Sequence, residues 1–555
     1  MSTPDPQRMS SVSSVEELEP SAHPNRRSRA GCWNCRSRTV KKKCDQERPS
    51  CGRCLRLSLQ CDYSARPTLA ERRCAERSAL STRSDESLRS TRSQSLVTVS
   101  APNGATCSLD LHASDHEAIR YFRTEFAKAH HVKHTEFSLI SLMFRVAQAD
   151  PMVMHMVLAI GLDGMNNRRQ CVSVEGKTSS LQHYSKAIRL MGTAMSTETG
   201  VQDFDAMCTA IWMMIIYEQQ LGDAQFSSYA QHLKGLSSLL RHHCESHPAL
   251  EKSETSSVLM PVVFMRQTQG QSLPGLSIYS ARVLIWTALL DAAAAFAGIG
   301  GHVNKAILNT VLRCNQSAEG EAKDPVKAFL DLHRYSGPLY LLAWGEYPEH
   351  ELLADVEDRD VYGLLAGCVQ LRFMTAQLAT EYTICPIGAA EHAKDVEKAI
   401  QGVGATFAEL IEVASRLSLA TDNQNRLVSN VRAIVPMYHA AVLDFMRLSS
   451  TEQSLSGRQR QALKEIMNLA FQSQHHGGDE AVMKLAWPLF IAALETDDML
   501  HRDWIMTQFK TISKYGINFQ RAHEFLLENV ALQLSTTKRI CLRTQMEKTA
   551  RFVLG

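Results

Sequence analysis

The sequence lacks a surplus of charge of either sign. Sixty Lys and Arg face 58 Asp and Glu, a formal net charge of +2 over 555 residues. That total neither favours nor excludes a polyanionic partner. Cysteine is sparse, 15 in the whole chain, which excludes a small scaffold stapled by disulfides. An apolar leader is missing: MSTPDPQRMSSVSSVEELEP is polar, so it is not a secretory signal. The most apolar run, Val283 to Gly301, is about long enough to cross a bilayer, but Asp291 sits at its centre. A carboxylate there costs about 2.5–3.5 kcal/mol, so the run reads as a buried helix and no membrane partner is expected. The chain is then intracellular, with its cysteines as thiols or metal ligands. Strand-like alternation is scarce and no fixed-period repeat occurs. Nucleophile elbows, Walker loops and dinucleotide fingerprints are absent, so no residue pattern supports an enzyme. With 44% hydrophobic and 21% charged residues, the chain is too apolar to be wholly disordered.

The near-neutral total conceals an asymmetry. Residues 1–21 carry −3, residues 22–63 carry +8 and residues 64–100 carry +3, which leaves −6 on the remaining 455. A compact basic head before a mildly acidic body points to a nucleic-acid-binding end. Six of the 15 cysteines fall in that head, within GCWNCRSRTVKKKCDQERPSCGRCLRLSLQC: Cys32, Cys35, Cys44, Cys51, Cys54 and Cys61. The intervening counts are two, eight, six, two and six. Two-residue spacing lets both thiolates of a pair reach one tetrahedral ion, usually structural Zn²⁺. Two tetrahedral ions need eight ligand contacts, so six thiolates hold two Zn²⁺ only if two sulfurs are shared. A 30-residue module has almost no apolar core, so metal binding must supply its folding free energy. Six thiolates and two Zn²⁺ would lower the charge of residues 22–63 from +8 to about +6.

The module resembles the fungal binuclear zinc cluster (Zn₂Cys₆) transcription factors. The resemblance rests on the paired cysteines, the basic run Arg36 to Lys43, the Cys44–Asp45 step, and Pro49 two residues before Cys51. It implies that Cys32 and Cys51 bridge both metals, with Cys35 and Cys44 completing one site and Cys54 and Cys61 the other. Pro49 matches the proline of the loop joining the two metal-binding helices. The family usually has six residues between its second and third cysteines, where this chain has eight. The base-reading position therefore falls on Arg38 and Thr39 counted from Cys35, or on Val40 and Lys41 counted back from Cys44. Zinc coordination should survive, since a longer loop closes at small extra entropic cost.

Modules of this kind place a short helix in the major groove. Lys and Arg neutralise phosphates, and an Arg or Lys reaching guanine O6 and N7 reads sequence. Arg36, Arg38, Lys41, Lys42 and Lys43 are the candidates for DNA contact, with Arg53 and Arg56 as phosphate contacts in the second half. The family implies a CGG-like half-site in double-stranded DNA, action on RNA polymerase II transcription through the transcription machinery, and a nuclear address. Nuclear import is assigned to Arg26, Arg27, Arg29 and Lys41 to Lys43. Control of a secondary-metabolite gene cluster is a common role in the family. The rival reading is a helical interaction scaffold whose zinc module binds protein or RNA.

The fold class expected is all-α: a small binuclear zinc module, a disordered linker and a large helical regulatory domain. Residues 1–25 read as a disordered tail, 26–63 as the DNA-binding domain, 64–111 as a Ser/Arg-rich linker with too few apolar residues for a core, 112–540 as the regulatory domain and 541–555 as a C-terminal tail. Leu69, Leu80, Leu88 and Leu96 follow no heptad, which leaves a monomer or a homodimer through the helical body. The body should hold fifteen to twenty helices in two packed halves. An amphipathic helix is expected over His112–His130 with Ser114 or Asp115 as N-cap, a fully buried one over Met207–Tyr217, and a stop at Gly477–Gly478 after the helical repeat from Leu463 to Phe471. Three stretches resemble the family's regulatory domain: Tyr217 to Gly222 with His232 to Leu236, Ile285 to Asp291, and Trp487 to Glu495 with Arg502 to Ile505. The clusters His242, His243, Cys244, His247 and His130, His131, His134 read as solvated, and Asp291 as a structural carboxylate. The acidic stretch Glu346 to Asp360 reads as a solvated connection, with an acidic activation segment as the alternative.

Overall fold

Apolar residues recur at helical spacing from 112 onward, and the computed structural model is accordingly helical, with no strand among the described residues. The structure describes residues 32, 35, 44–57, 59, 61–63, 109, 111–130, 133–168, 174–196, 203–221, 223, 225–246, 276–314, 324–384, 386–421, 425–449, 454–536 and 538–555. The tail 1–25, all of the linker but 109 and 111, and the candidate contacts Arg36, Arg38, Lys41, Lys42 and Lys43 lie outside them. The chain forms two units, 1–100 and 101–555, so the body is one unit and not two halves.

The first unit contains α1 (Gly52–Arg56). The second holds twenty-one α-helical segments among the described residues. It opens with α2 (Ala113–Tyr121), which passes through a π turn (Phe122–Phe126) into α3 (Ala127–His130). Then come α4 (Leu139–Ala149), α5 (Pro151–Arg168), α6 (Val174–Ser196), α7 (Phe204–Leu221) and α8 (Ser227–Ser246). The middle comprises α9 (Ile278–Phe296), α10 (His302–Cys314), α11 (Pro325–Tyr335), α12 (Leu339–Ala343), α13 (Glu349–Glu357), α14 (Arg359–Ile384), α15 (Pro386–Thr406) and α16 (Ala408–Ser415). The last part comprises α17 (Arg426–Ser449), α18 (Gly457–Lys484), α19 (Ala486–Glu495), α20 (Met499–Ile512), α21 (Ile517–Thr536) and α22 (Leu542–Lys548).

Short polar side chains start these helices by accepting otherwise unpaired N–H groups. Ser277 accepts from Ser280 N at 2.9 Å at the head of α9, and Asp324 accepts from Val326 N at 2.9 Å, with Pro325 as the first residue of α11. At α2 the N-cap is His112, not Ser114 or Asp115; the Asp115 carboxylate reaches back to His112 N at 2.9 Å. Gly478 interrupts α18 with φ 57°, and helix resumes beyond it, so the expected stop is a kink.

Helix α7 is buried on every side from Phe204 to Tyr217, as its all-apolar pattern requires. Helix α9 is the one described helix long and apolar enough to cross a membrane, and most of it is buried inside the body. Asp291, fully buried on it, accepts from Gly301 N at 2.8 Å, His302 N at 3.1 Å, and Asn304 N at 2.8 Å. That carboxylate caps α10 and has the structural role expected of it.

The acidic stretch is not a solvated connection. Glu351 and Asp358 are buried, and Arg426 on α17 donates to Glu351 at 2.9 Å, Asp355 at 3.2 Å and Asp358 at 2.7 Å. Lys133 meets Asp355 and Tyr347 from the other side. The segment read as a C-terminal tail also packs into the body. Phe552, Val553 and Leu554 are buried, and Val553 N donates to Asn518 Oδ1 at 2.8 Å.

Candidate metal centre and nucleic-acid interface

Cys51 organises the first unit. It sits in an extended conformation as N-cap of α1, and its sulfur accepts from Cys54 N at 3.4 Å. The Cys-x-x-Cys spacing therefore turns the second cysteine back over the first within one helical turn. Asp45 holds the preceding loop against this helix, its carboxylate accepting from Gly52 N at 2.9 Å and Glu47 N at 3.4 Å. A side chain at Gly52 would bring a Cβ within 2.9 Å of that carboxylate, so glycine permits the approach. Tyr63 closes the far edge: its hydroxyl donates to Glu47 O at 3.0 Å and lies 3.7 Å from Cys44 Sγ, with the Arg48 guanidinium 5.2 Å from its ring centroid.

All six cysteines of the module come together, five of them buried and Cys61 half-buried. Cys32 Sγ lies 3.7 Å from Cys51 Sγ and 3.7 Å from Cys54 Sγ, and Cys35 Sγ lies 3.7 Å from Cys51 Sγ. The sulfurs of Cys32, Cys35, Cys51 and Cys54 all fall within 4.8 Å of one another, and Cys44 and Asp45 form a second such group with Cys51. Cys32 also adjoins Cys35 and Cys61, Cys35 adjoins Cys44, and Cys54 adjoins Cys61. Two central sulfurs, Cys32 and Cys51, thus neighbour both outer pairs.

These spacings suit metal ligation. Sulfurs bound to one tetrahedral ion at about 2.3 Å lie about 3.8 Å apart, whereas disulfide sulfurs sit about 2.05 Å apart. Among the described residues, the only hydrophobic side chains packed around these thiols are their own and that of Tyr63. Burial pushes the Cys32 and Cys35 thiols up and raises Cys54 to about 11, whereas the backbone N–H of Cys54 draws Cys51 down to about 6. Most of these thiols would hold protons at neutral pH, so a bound cation must displace them, as structural zinc does. The residues fit zinc.

Of the candidate DNA contacts, the described ones are Arg53 and Arg56, both on α1. Arg56 is exposed, and Arg53 is half-buried beside the Cys35 thiol. Asp45 and Tyr63 were not singled out from the sequence; the Cys44–Asp45 step was visible, but only the fold shows the carboxylate serving as a cap.

Two family models match this chain. The fungal Zn(2)-Cys(6) binuclear cluster domain matches residues 30–69, and the fungal specific transcription factor domain matches residues 117–275 and 358–530, more than half of the chain. The chain belongs to the fungal-specific transcription factor family. This transcription factor binds zinc and DNA through its N-terminal domain and regulates transcription; it is not an enzyme. The chain is similar over 39 residues to the transcriptional regulatory protein UME6 of Saccharomyces cerevisiae (strain ATCC 204508 / S288c), 62% identical there, a stretch that is 7% of this chain and spans only 4% of that protein's length. No solved structure matches.

The histidine clusters expected to be solvated are so only in part: His134 and His242 are exposed, whereas His130 and His243 pack against phenylalanines. His130 stacks on Phe126 with ring centroids 4.0 Å apart, and burial holds its imidazole down to about 4. His243 stacks on Phe204 at 3.9 Å, and neither it nor His242 joins a group of metal-ligand geometry among the described residues; His131 and His247 lie outside those residues. Cys208 and Cys368 are buried thiols.

Proposed function

We propose that this transcription factor is a nuclear, sequence-specific regulator of RNA polymerase II transcription whose N-terminal module holds two Zn²⁺ and reads CGG-like half-sites. The observation that supports the reading is the central position of Cys32 and Cys51, each beside a cysteine of both outer pairs. In this reading Cys32, Cys35, Cys44 and Cys51 hold one ion, and Cys32, Cys51, Cys54 and Cys61 hold the other. The ions supply the cross-links that an apolar core would otherwise provide. The DNA-binding domain is residues 26–63, joined by the linker 64–111 to the regulatory body beginning at 112. Arg36, Arg38, Lys41, Lys42 and Lys43 face the DNA, and Arg53 and Arg56 reach phosphates. Positive charge on this module draws the duplex in, and base contacts from the basic run discriminate sequence.

The test is binding of the full chain to duplexes carrying CGG half-sites and to scrambled duplexes, titrated with salt. The expected result is tighter binding to CGG duplexes at every salt concentration, by about 10³-fold or more near physiological salt. Equal affinity for both sets would overturn the sequence-reading claim. Genome-wide mapping of bound sites would then assign half-site spacing and target genes.

A further inference from the structure

Two of the cysteine sulfurs take backbone donors that the Cys-x-x-Cys turn itself provides. Cys51 Sγ accepts from Cys54 N at 3.4 Å, and Cys61 Sγ accepts from Cys51 N at 3.4 Å. Tyr63 is a different kind of neighbour. Among the described residues it is the one hydrophobic side chain besides the cysteines that packs on the sulfur cluster. Its hydroxyl lies 3.7 Å from Cys44 Sγ and adjoins the Cys61 sulfur as well. With two ions sharing Cys32 and Cys51, Cys44 is an outer ligand of one and Cys61 an outer ligand of the other. The tyrosine therefore touches one outer ligand of each site.

The hydroxyl proton has more than one acceptor within reach. A phenol keeps its proton at neutral pH and can both donate and accept. Here it donates to Glu47 O at 3.0 Å. A sulfur that has lost its own proton is an anion, and a charge-assisted hydrogen bond is roughly twice as strong as a neutral one. Ligation of Cys44 as a thiolate therefore favours turning the hydroxyl from the carbonyl to the sulfur. The ring is held ready for this. The Arg48 guanidinium stands 5.2 Å from its centroid, on the loop that joins Cys44 to Cys51. Asp45 fixes the same loop to α1 by accepting from Gly52 N at 2.9 Å. A metal ligand oriented by such an outer donor binds more tightly than one left free.

We propose that Tyr63 is a positioning residue of the metal centre: its hydroxyl donates to the Cys44 thiolate and, through its contact with Cys61, ties the outer edges of both metal sites together. Tyr63 is not itself a ligand. This role rests on the two-ion reading given above and assigns to that centre a side chain outside the six cysteines.

The experiment compares the zinc-loaded full chain with Tyr63→Phe, which keeps the ring and loses the hydroxyl, and with Tyr63→Ala. Equilibrium competition with a chromogenic chelator of known zinc affinity gives the number of bound ions and how tightly they are held. Replacing zinc by Co²⁺ adds a thiolate-to-metal charge-transfer band, which responds to a hydrogen bond on the ligand sulfur and not to packing elsewhere. The expected result is a metal affinity about tenfold or more lower in Tyr63→Phe, with the band moved to longer wavelength, and at least as large a loss in Tyr63→Ala. Unchanged affinity in Tyr63→Phe overturns the proposal. So does a lower affinity with an unmoved band, since packing alone would then account for the loss. Should Tyr63→Ala fail to fold, Tyr63→Phe settles the matter without it. A parent chain holding one Zn would refute the two-ion reading by itself; unchanged affinity of Tyr63→Phe for that one ion would still overturn the role of Tyr63, and a tenfold loss with the shifted band would uphold it at Cys44.

Discussion

The sulfurs of Cys32 and Cys51 lie 3.7 Å apart although 19 positions separate them in the chain. That is the separation expected of two thiolates on one tetrahedral ion, about 3.8 Å, and each of the two also adjoins both outer pairs. Shared ligands make the six cysteines unequal. Replacing Cys51 or Cys32 with Ser should remove a ligand from both ions and abolish both metal occupancy and DNA binding. Replacing Cys61 should disturb one ion and leave the other bound. Metal analysis and duplex binding of the three variants check this, and equal loss in all three would contradict bridging.

The buried ion cluster at Arg426 makes a strong claim about stability. Arg426→Ala leaves Glu351, Asp355 and Asp358 without their shared partner, Glu351 and Asp358 being buried. The expected loss is about 3–5 kcal/mol. Arg416→Ala breaks an exposed pair with Glu412 at 2.7 Å and should cost only about 0.5 kcal/mol or less. Urea denaturation followed by circular dichroism compares the two; similar losses would mean that the Arg426 cluster is effectively solvated.

A third expectation concerns pH. Burial raises the Asp444 carboxyl to about 7, with Arg372 and Arg447 pulling it down and Glu495 pushing it up. The unfolded chain releases that proton near about pH 3.9. A raised folded-state value means that the group's contribution is complete below about 4 and is lost as pH rises towards 7. Asp444→Asn should therefore gain stability relative to the parent by roughly 2 kcal/mol between pH 5 and pH 8. Urea unfolding of both proteins at the two pH values measures it. A flat or reversed difference would show that Arg372 and Arg447 outweigh burial.

The two kinds of DNA contact should separate by salt. Arg56→Ala, a phosphate contact in this account, should weaken binding to CGG and scrambled duplexes alike and lower the salt slope by about one. Lys41→Ala, if the reading position counts back from Cys44, should cost about 1–3 kcal/mol on CGG duplexes and little on scrambled ones. Fluorescence anisotropy across a salt series distinguishes the two patterns.

Local signals carried much of the fold. Cysteine spacing marked the zinc module, the all-round apolar pattern of Met207 to Tyr217 marked a buried helix, and a lone carboxylate in the apolar run around Asp291 pointed to a structural role that the α10 cap explains. Pairings between distant residues were not legible. Nothing near Lys133 in sequence announces its contact with Asp355, 222 positions away. Helix α13 shows the limit of periodicity: its pattern reveals two unlike faces, but only tertiary partners decide which is turned inward. The C-terminal residues were short enough to resemble a tail, yet Phe552 to Leu554 find a place in the core. At Gly478 the glycine signal marked a real break in helical backbone, while packing continued the helix beyond it.

The most direct test of the central claim is the zinc content of the purified full chain. Elemental analysis after exhaustive dialysis should give two Zn per chain, both removed by a strong chelator together with CGG-duplex binding. One Zn per chain, or duplex recognition that survives complete metal removal, would contradict a six-cysteine cluster with Cys32 and Cys51 shared between two ions.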